Sequence, residues 1–147
     1  MYFSMSYLGL KGDFIAHYFG PYSASVDSIL GQLVSIGLIE ERAILTDNSR
    51  KMYHYNLTPD GQLYSRKLAK KHDKKMKVIN KITDAFENIG GNRITRFACA
   101  AKVHYLAKGN RILTIDSAIN EAKSLGWHLS ESEIVNAAQT IKSLASR

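Results

Sequence analysis

The run Ser25-Val26-Asp27-Ser28-Ile29-Leu30-Gly31-Gln32-Leu33-Val34-Ser35-Ile36-Gly37-Leu38-Ile39-Glu40-Glu41, with Tyr53-His54-Tyr55-Asn56-Leu57-Thr58-Pro59-Asp60-Gly61 a short way on, decides how this chain reads. Ser23 stands at an N-cap position, and Val26, Ile29, Leu30 and Leu33 recur at i, i+3, i+4 and i+7, with Ile36 on the same stripe. That spacing predicts an amphipathic helix. Gly37 offers the left-handed residue that ends it, with Leu38 as the apolar contact beyond. Leu38 to Leu45 reads as a strand, Thr46-Asp47-Asn48-Ser49 as a polar turn, and Lys51 to Leu57 as the returning strand. Tyr53, Tyr55 and Leu57 alternate with Met52, His54 and Asn56, which gives the second strand one aromatic face expected to pack on neighbouring helices. Thr58-Pro59-Asp60 then starts a helix, with a hydroxyl at the N-cap, proline at the first position and an acid in the first turn.

Upstream, Gly20-Pro21 reads as a turn, and Phe14 to Phe19 as a short strand or buried extended segment. Downstream, a helical pattern runs to Ile89 and stops at Gly90-Gly91; unbroken, its thirty or so residues would span about 45 Å. The sequence leaves two alternatives, one continuous helix or a break near Lys71-His72-Asp73. The second half carries a narrow apolar seam of Ile79, Ile82, Phe86 and Ile89, which would dock on the C-terminal helices or on a second copy, the first being the favoured use. Three more helices follow: Ile94 to Lys108, Ile115 to Leu125 closed by Gly126, and a last one opened by a capping box of Ser130 with Glu133. Ser124-Leu125-Gly126-Trp127 repeats the ending Ser35-Ile36-Gly37-Leu38, and Trp127 is expected to pin the last two helices together.

A helix, a glycine–hydrophobic step, a two-stranded hairpin with a polar tip and a Thr-Pro-initiated helix follow one another in the order of a winged helix. The two runs quoted above resemble the recognition helix, wing strands and following turn of the PadR and MarR types of regulator, over roughly residues 23 to 70. Tyr18-Phe19-Gly20-Pro21-Tyr22-Ser23 more weakly resembles the approach to that helix in Panacea-like winged-helix proteins, some of them antitoxins, which would imply a protein partner. The fold expected is therefore mainly α with a small β-hairpin wing. Residues 1–71 would form a winged-helix domain, and residues 72–147 a connecting helix and a C-terminal three-helix segment. Residues 1–22 are too short and too rich in glycine to supply the two helices that usually precede the recognition helix in these regulators.

Charge sets the function class. The 147 residues carry a net charge of +7, yet residues 42 to 81 hold eleven basic side chains against three acidic ones, so one segment carries the whole excess. Such a segment suits a phosphate backbone or another anionic surface. The first reading is non-enzymatic binding of double-stranded DNA, as in a transcriptional regulator. Arg42, Arg50 and Lys51 would hold phosphates at the wing, and Lys67, Lys70, Lys71 and Lys74 would extend the contact along the helix. Ser25, Ser28 and Gln32 are the base readers on offer. The recognition helix has no Lys or Arg and does have Asp27, so discrimination between sequences should be modest. The alternative is an antitoxin-like or adaptor module that binds protein through the polar and acidic face around Asp27, Gln32, Glu40 and Glu41.

Other classes find little support. The histidines His17, His54, His72, His104 and His128 are scattered. Cys99 and His104 are five apart on one helix, off the i,i+4 spacing that puts two ligands on one face. No phosphate-binding loop and no catalytic carboxylate pair is visible, so no cofactor or metal is expected. The lone cysteine excludes an internal disulfide and suits a reducing compartment. No apolar run approaches eighteen residues and no signal peptide is legible, so the expectation is a cytoplasmic protein away from the membrane. The C-terminal helices would supply a homodimer contact or bind a protein partner.

Overall fold

The computed structural model describes residues 1–45, 51–109 and 114–145. It is mainly helical, at 65%, with two small antiparallel hairpins and seven helices among the described residues. The elements run α1 (Tyr2–Tyr7), β1 (Ile15–His17), β2 (Gly20–Tyr22), α2 (Ala24–Ser35), β3 (Ile39–Leu45), β4 (Lys51–Leu57), α3 (Pro59–Lys71), α4 (Asp73–Glu87), α5 (Arg93–Gly109), α6 (Ile115–Ser124) and α7 (Glu131–Ala145). They group into two compact units. One comprises residues 1–23 with 77–147, the other residues 24–76. The expected division after residue 71 put the N-terminal segment with the hairpin, but here it packs with the C-terminal helices. Helix α1 explains why: its aromatic side chains have their apolar partners on α5.

The first unit holds the core. Tyr2 and Phe3 of α1, Ile82 of α4, Cys99, Ala100, Val103 and Leu106 of α5, Ala118 and Ala122 of α6, and Ile134, Ala137 and Leu144 of α7 are buried together with Trp127 and Leu129. Small residues on α5, α6 and α7 let those helices approach closely, and aromatic rings fill the space at the α1 end. Phe3 meets Phe97 edge to face at 5.0 Å, and Phe97 meets Phe86 of the α4 seam at 5.1 Å. The seam thus docks within the chain. Tyr2 hydroxyl and His104 Nδ1 are hydrogen-bonded at 2.9 Å. Sequence reading missed α1, whose signal is faint: Phe3 and Tyr7 at i,i+4 in only six helical residues.

Two further expectations are corrected in this unit. Gly20-Pro21 is not the turn; Tyr18 and Phe19 make it, and Gly20 opens β2 opposite His17. Gly20 has φ +137°, backbone open chiefly to glycine, which is why the glycine sits beside the reversal. Trp127 does more than join the last helices. Its indole N–H donates to the His17 carbonyl at 2.7 Å while its ring meets Tyr105 edge-on, so it ties the first hairpin to α5. The Ser130–Glu133 capping box forms as expected. Thr114 and Ser117 make a second one at α6.

The second unit is built on hydrogen bonds around one glycine step. Leu38 N–H donates to Leu33 and Gly37 N–H to Val34, both at 3.0 Å, with Gly37 at φ +72°. This is the Schellman ending anticipated for α2, and Gly126 closes α6 the same way. The free edge of that turn then receives the start of α3. Thr58 Oγ1 donates to the Gly37 carbonyl at 2.7 Å, Thr58 N–H donates to the Leu38 carbonyl at 3.1 Å, and Gly61 N–H donates to Thr58 Oγ1 at 3.0 Å. Gly61 lies so close that a Cβ there would sit 1.9 Å from the Leu38 oxygen. Helix α3 stops at Lys71, which decides between the two alternatives the sequence left open, and His72 leads into α4 with φ −126°.

Two consequences can be measured. Gly61→Ala forces α3 off the Leu38 carbonyl and should cost about 1–3 kcal/mol, whereas Gly31→Ala, in open space on α2, should be stabilising by up to about 1 kcal/mol; thermal and denaturant unfolding of the two variants checks the contrast. Burial, helped by Lys108, holds the His104 pKa below its ordinary value. The unfolded chain therefore takes up that proton first, and stability should fall as pH drops below about 6.5. His104→Phe should flatten the slope of the thermal midpoint between pH 6.5 and 5.

Candidate nucleic-acid interface

The sequence-predicted base readers do come together. On α2 the apolar stripe turns Val26, Leu30, Leu33 and Val34 inward to half-buried positions, which leaves Ser25, Ser28 and Gln32 on the opposite, exposed face. Gln32 Nε2 donates to Ser28 Oγ at 3.4 Å, one turn away, so the amide is held along the helix. Ile29 and Ile36 flank this face and are exposed as well.

The wing residues are not brought together. Leu45 pairs with Lys51, Ala43 with Tyr53, Glu41 with Tyr55 and Ile39 with Leu57, so these eight side chains share one face of the hairpin. Arg42 pairs with His54 and belongs to the opposite face. Arg42 and Lys51 therefore point to opposite sides, and the Arg42 guanidinium approaches Glu40 at 4.0 Å in an exposed ion pair. Such a pair contributes little to stability, about 0–1 kcal/mol. Arg50 and the expected turn Thr46-Asp47-Asn48-Ser49 lie outside the described residues.

The aromatic face differs from expectation too. Tyr53, Tyr55 and Leu57 remain exposed rather than packed under helices. The Tyr55 hydroxyl donates to the Glu41 carboxylate, and that bond, with some desolvation and the negative charges of Glu41 and Asp27, pushes its pKa up to about 12. This side of the hairpin is thus acidic where it nears the start of α2. A phosphate would not be drawn to it.

Helix α3 is where the positive charge converges. Its inward face is the buried Gly61 with half-buried Ser65 and Ala69; the helical period puts Lys67 and Lys70 on the opposite face with Arg66 and Lys71 flanking them, all exposed. From Gln62 to Lys71 the helix has no acidic residue. Lys70 and Lys71 also complement the dipole at the α3 C-terminus, which favours basic residues locally. Lys74 follows in the first turn of α4 and is exposed.

Chemistry elsewhere is sparse. Among the described residues no group of three or more His, Cys, Asp or Glu could hold a metal ion. Cys99 is buried, and burial together with Glu133, whose carboxylate lies 3.8 Å from the sulfur, pushes its thiol pKa up, away from a reactive thiolate. A cavity of about 450 Å³ in the first unit is lined by Tyr2, Ser6, Phe14, Tyr105, Lys108 and Glu121 among others. No helix among the described residues is long and apolar enough to cross a membrane. No family model, curated protein or solved structure matches this chain.

Proposed function

We propose that residues 24–76 act as a winged helix-turn-helix module that binds duplex DNA without catalysis, in a cytoplasmic transcriptional regulator. One observation carries this reading: the outward face of α3 presents Arg66, Lys67, Lys70 and Lys71 with no acid between Gln62 and Lys71. Lysines on one helical face can each neutralise a backbone phosphate and release its counterion, which gives affinity with little sequence preference. Ser25, Ser28 and Gln32 would read base edges, Gln32 pairing best with adenine. Lys74 extends the phosphate contact. Arg42 and Lys51, on opposite hairpin faces, would reach backbone separately rather than as a pair.

A second reading is a protein-interaction module, antitoxin-like or adaptor in kind. It is favoured by the acidic cluster of Asp27 on α2 and Glu41 on β3, to whose carboxylate the neutral Tyr55 hydroxyl donates. That cluster suits a basic protein surface better than a phosphate groove.

Fluorescence anisotropy of the full chain on a labelled duplex at two salt concentrations separates the two. The DNA reading expects micromolar binding that weakens steeply with salt. Lys67→Ala with Lys70→Ala should lower the salt slope by about 2, from roughly −0.9 per phosphate contact. Ser28→Ala with Gln32→Ala should change preference among duplexes and leave that slope alone. Absence of binding at low salt would end the DNA reading in favour of the protein partner.

A further inference from the structure

The cavity of about 450 Å³ in the first unit has the size of a small-molecule site. Its described lining lies wholly within residues 1–23 and 77–147. Three helices each turn two residues of one face towards it: Tyr2 and Ser6 from α1, Tyr105 and Lys108 from α5, Glu121 and Leu125 from the end of α6. Phe14, Leu10 and the buried Leu106 complete its apolar surface. The loop after α1 is shaped to hold that wall, since a Cβ on Gly12 would run into the Phe14 ring.

The polar groups narrow the choice of ligand. Among the described lining residues only Lys108 and Glu121 carry charge. Burial, with the neighbouring Tyr105 and Tyr7 hydroxyls, pushes the Tyr2 pKa up, so Tyr2 is neutral. Its partner at 2.9 Å, His104, is held neutral as well, because burial pushes that pKa down. The lining therefore offers one charge of each sign and a net charge of zero. An anion would be repelled by Glu121 and a cation by Lys108, in a space partly shielded from water. A zwitterion answers both. Glu121 already has a contact within the chain, yet a carboxylate has about four acceptor positions and can take an ammonium besides. The Ser6 and Tyr105 hydroxyls make no hydrogen bond among the described residues, which leaves them to the polar end of a ligand.

We propose that this cavity binds a free aromatic α-amino acid, its carboxylate at Lys108, its ammonium at Glu121 and its ring among Phe14, Tyr105, Leu106 and Leu125. An aromatic side chain suits the rings of Phe14 and Tyr105, where edge-to-face contacts add to burial. It also fills a space that a small side chain would leave to water. The site is separate from the lysine face of α3.

Isothermal titration calorimetry of the full chain with L-phenylalanine, in the absence of DNA, tests this independently of the DNA reading. A dissociation constant of about 1 mM or tighter is expected. 3-Phenylpropionate lacks the ammonium and phenethylamine lacks the carboxylate; each should bind at least about tenfold more weakly, since one charge of the site goes unanswered. Lys108→Met should weaken phenylalanine about tenfold and leave phenethylamine no weaker than with the wild type. Glu121→Gln should weaken phenylalanine likewise and leave 3-phenylpropionate no weaker. Loss of folding would not produce that crossed pattern. Leu125→Trp should fill the cavity and abolish binding of all three probes, with the thermal midpoint reporting that the variant is folded. The absence of heat with millimolar phenylalanine and folded wild-type chain overturns the proposal. Equal affinity for the three probes overturns it too, as does phenylalanine binding that survives both charge substitutions, because the cavity would then select no zwitterion.

Discussion

The second unit depends on how Thr58 and Gly61 meet Gly37 and Leu38. A helix must end before a strand can begin, and the ending exposes carbonyls that need donors. Here the hydroxyl and the amide of Thr58 donate to the Gly37 and Leu38 carbonyls, and the same hydroxyl caps α3 through Gly61. One side chain thus fastens the end of α2, the beginning of β3 and the beginning of α3. The lysine face of α3 takes its direction from that junction, since rotation of the helix would drive Gly61 into the Leu38 oxygen.

Because the junction is polar, it fixes direction without supplying much stability. A hydrogen bond contributes about 1 kcal/mol net, while a buried leucine or phenylalanine contributes about 1.5–3 kcal/mol. The first unit has several such side chains and, among the described residues, the second has none. The two units therefore rest on different physics: one on packed rings and small-residue helix contacts, the other on capping bonds that orient an exposed charged surface.

Much of this was legible in the sequence, for reasons that lie in local chemistry. The ends of α2 and α6, the capping box of α7 and the Thr-Pro start of α3 follow from residues next to the feature they create. The two strands of the hairpin followed from alternation and the polar turn between them, but not their pairing register. What stayed hidden depends on distant partners. Helix α1 is fixed by Phe97 and His104 of α5, more than ninety residues away, and Trp127 by the carbonyl of His17. Of the candidate site, Ser25, Ser28, Gln32 and the α3 lysines could be assigned to faces by period. The separation of Arg42 from Lys51 follows from strand parity in the sequence as well. Exposure of Tyr53 and Tyr55 does not, since alternation tells which side chains share a face and not whether anything lies over it.

The segregation of residues 1–23 with 77–147 has a bearing on how the chain is made. Residues 24–76 leave the ribosome as one uninterrupted stretch and can form their turns at once. The first 23 residues emerge earlier still, yet Tyr2 waits for His104 and His17 waits for Trp127. Closing such long loops is the slow part of folding, since chain entropy is lost before the contacts form. This aromatic segment thus stays uncovered until the roughly one hundred residues up to its partners have been made. A segment made well before its partners is among the last to find its place, and a chaperone that binds exposed aromatic segments would meet it in that interval.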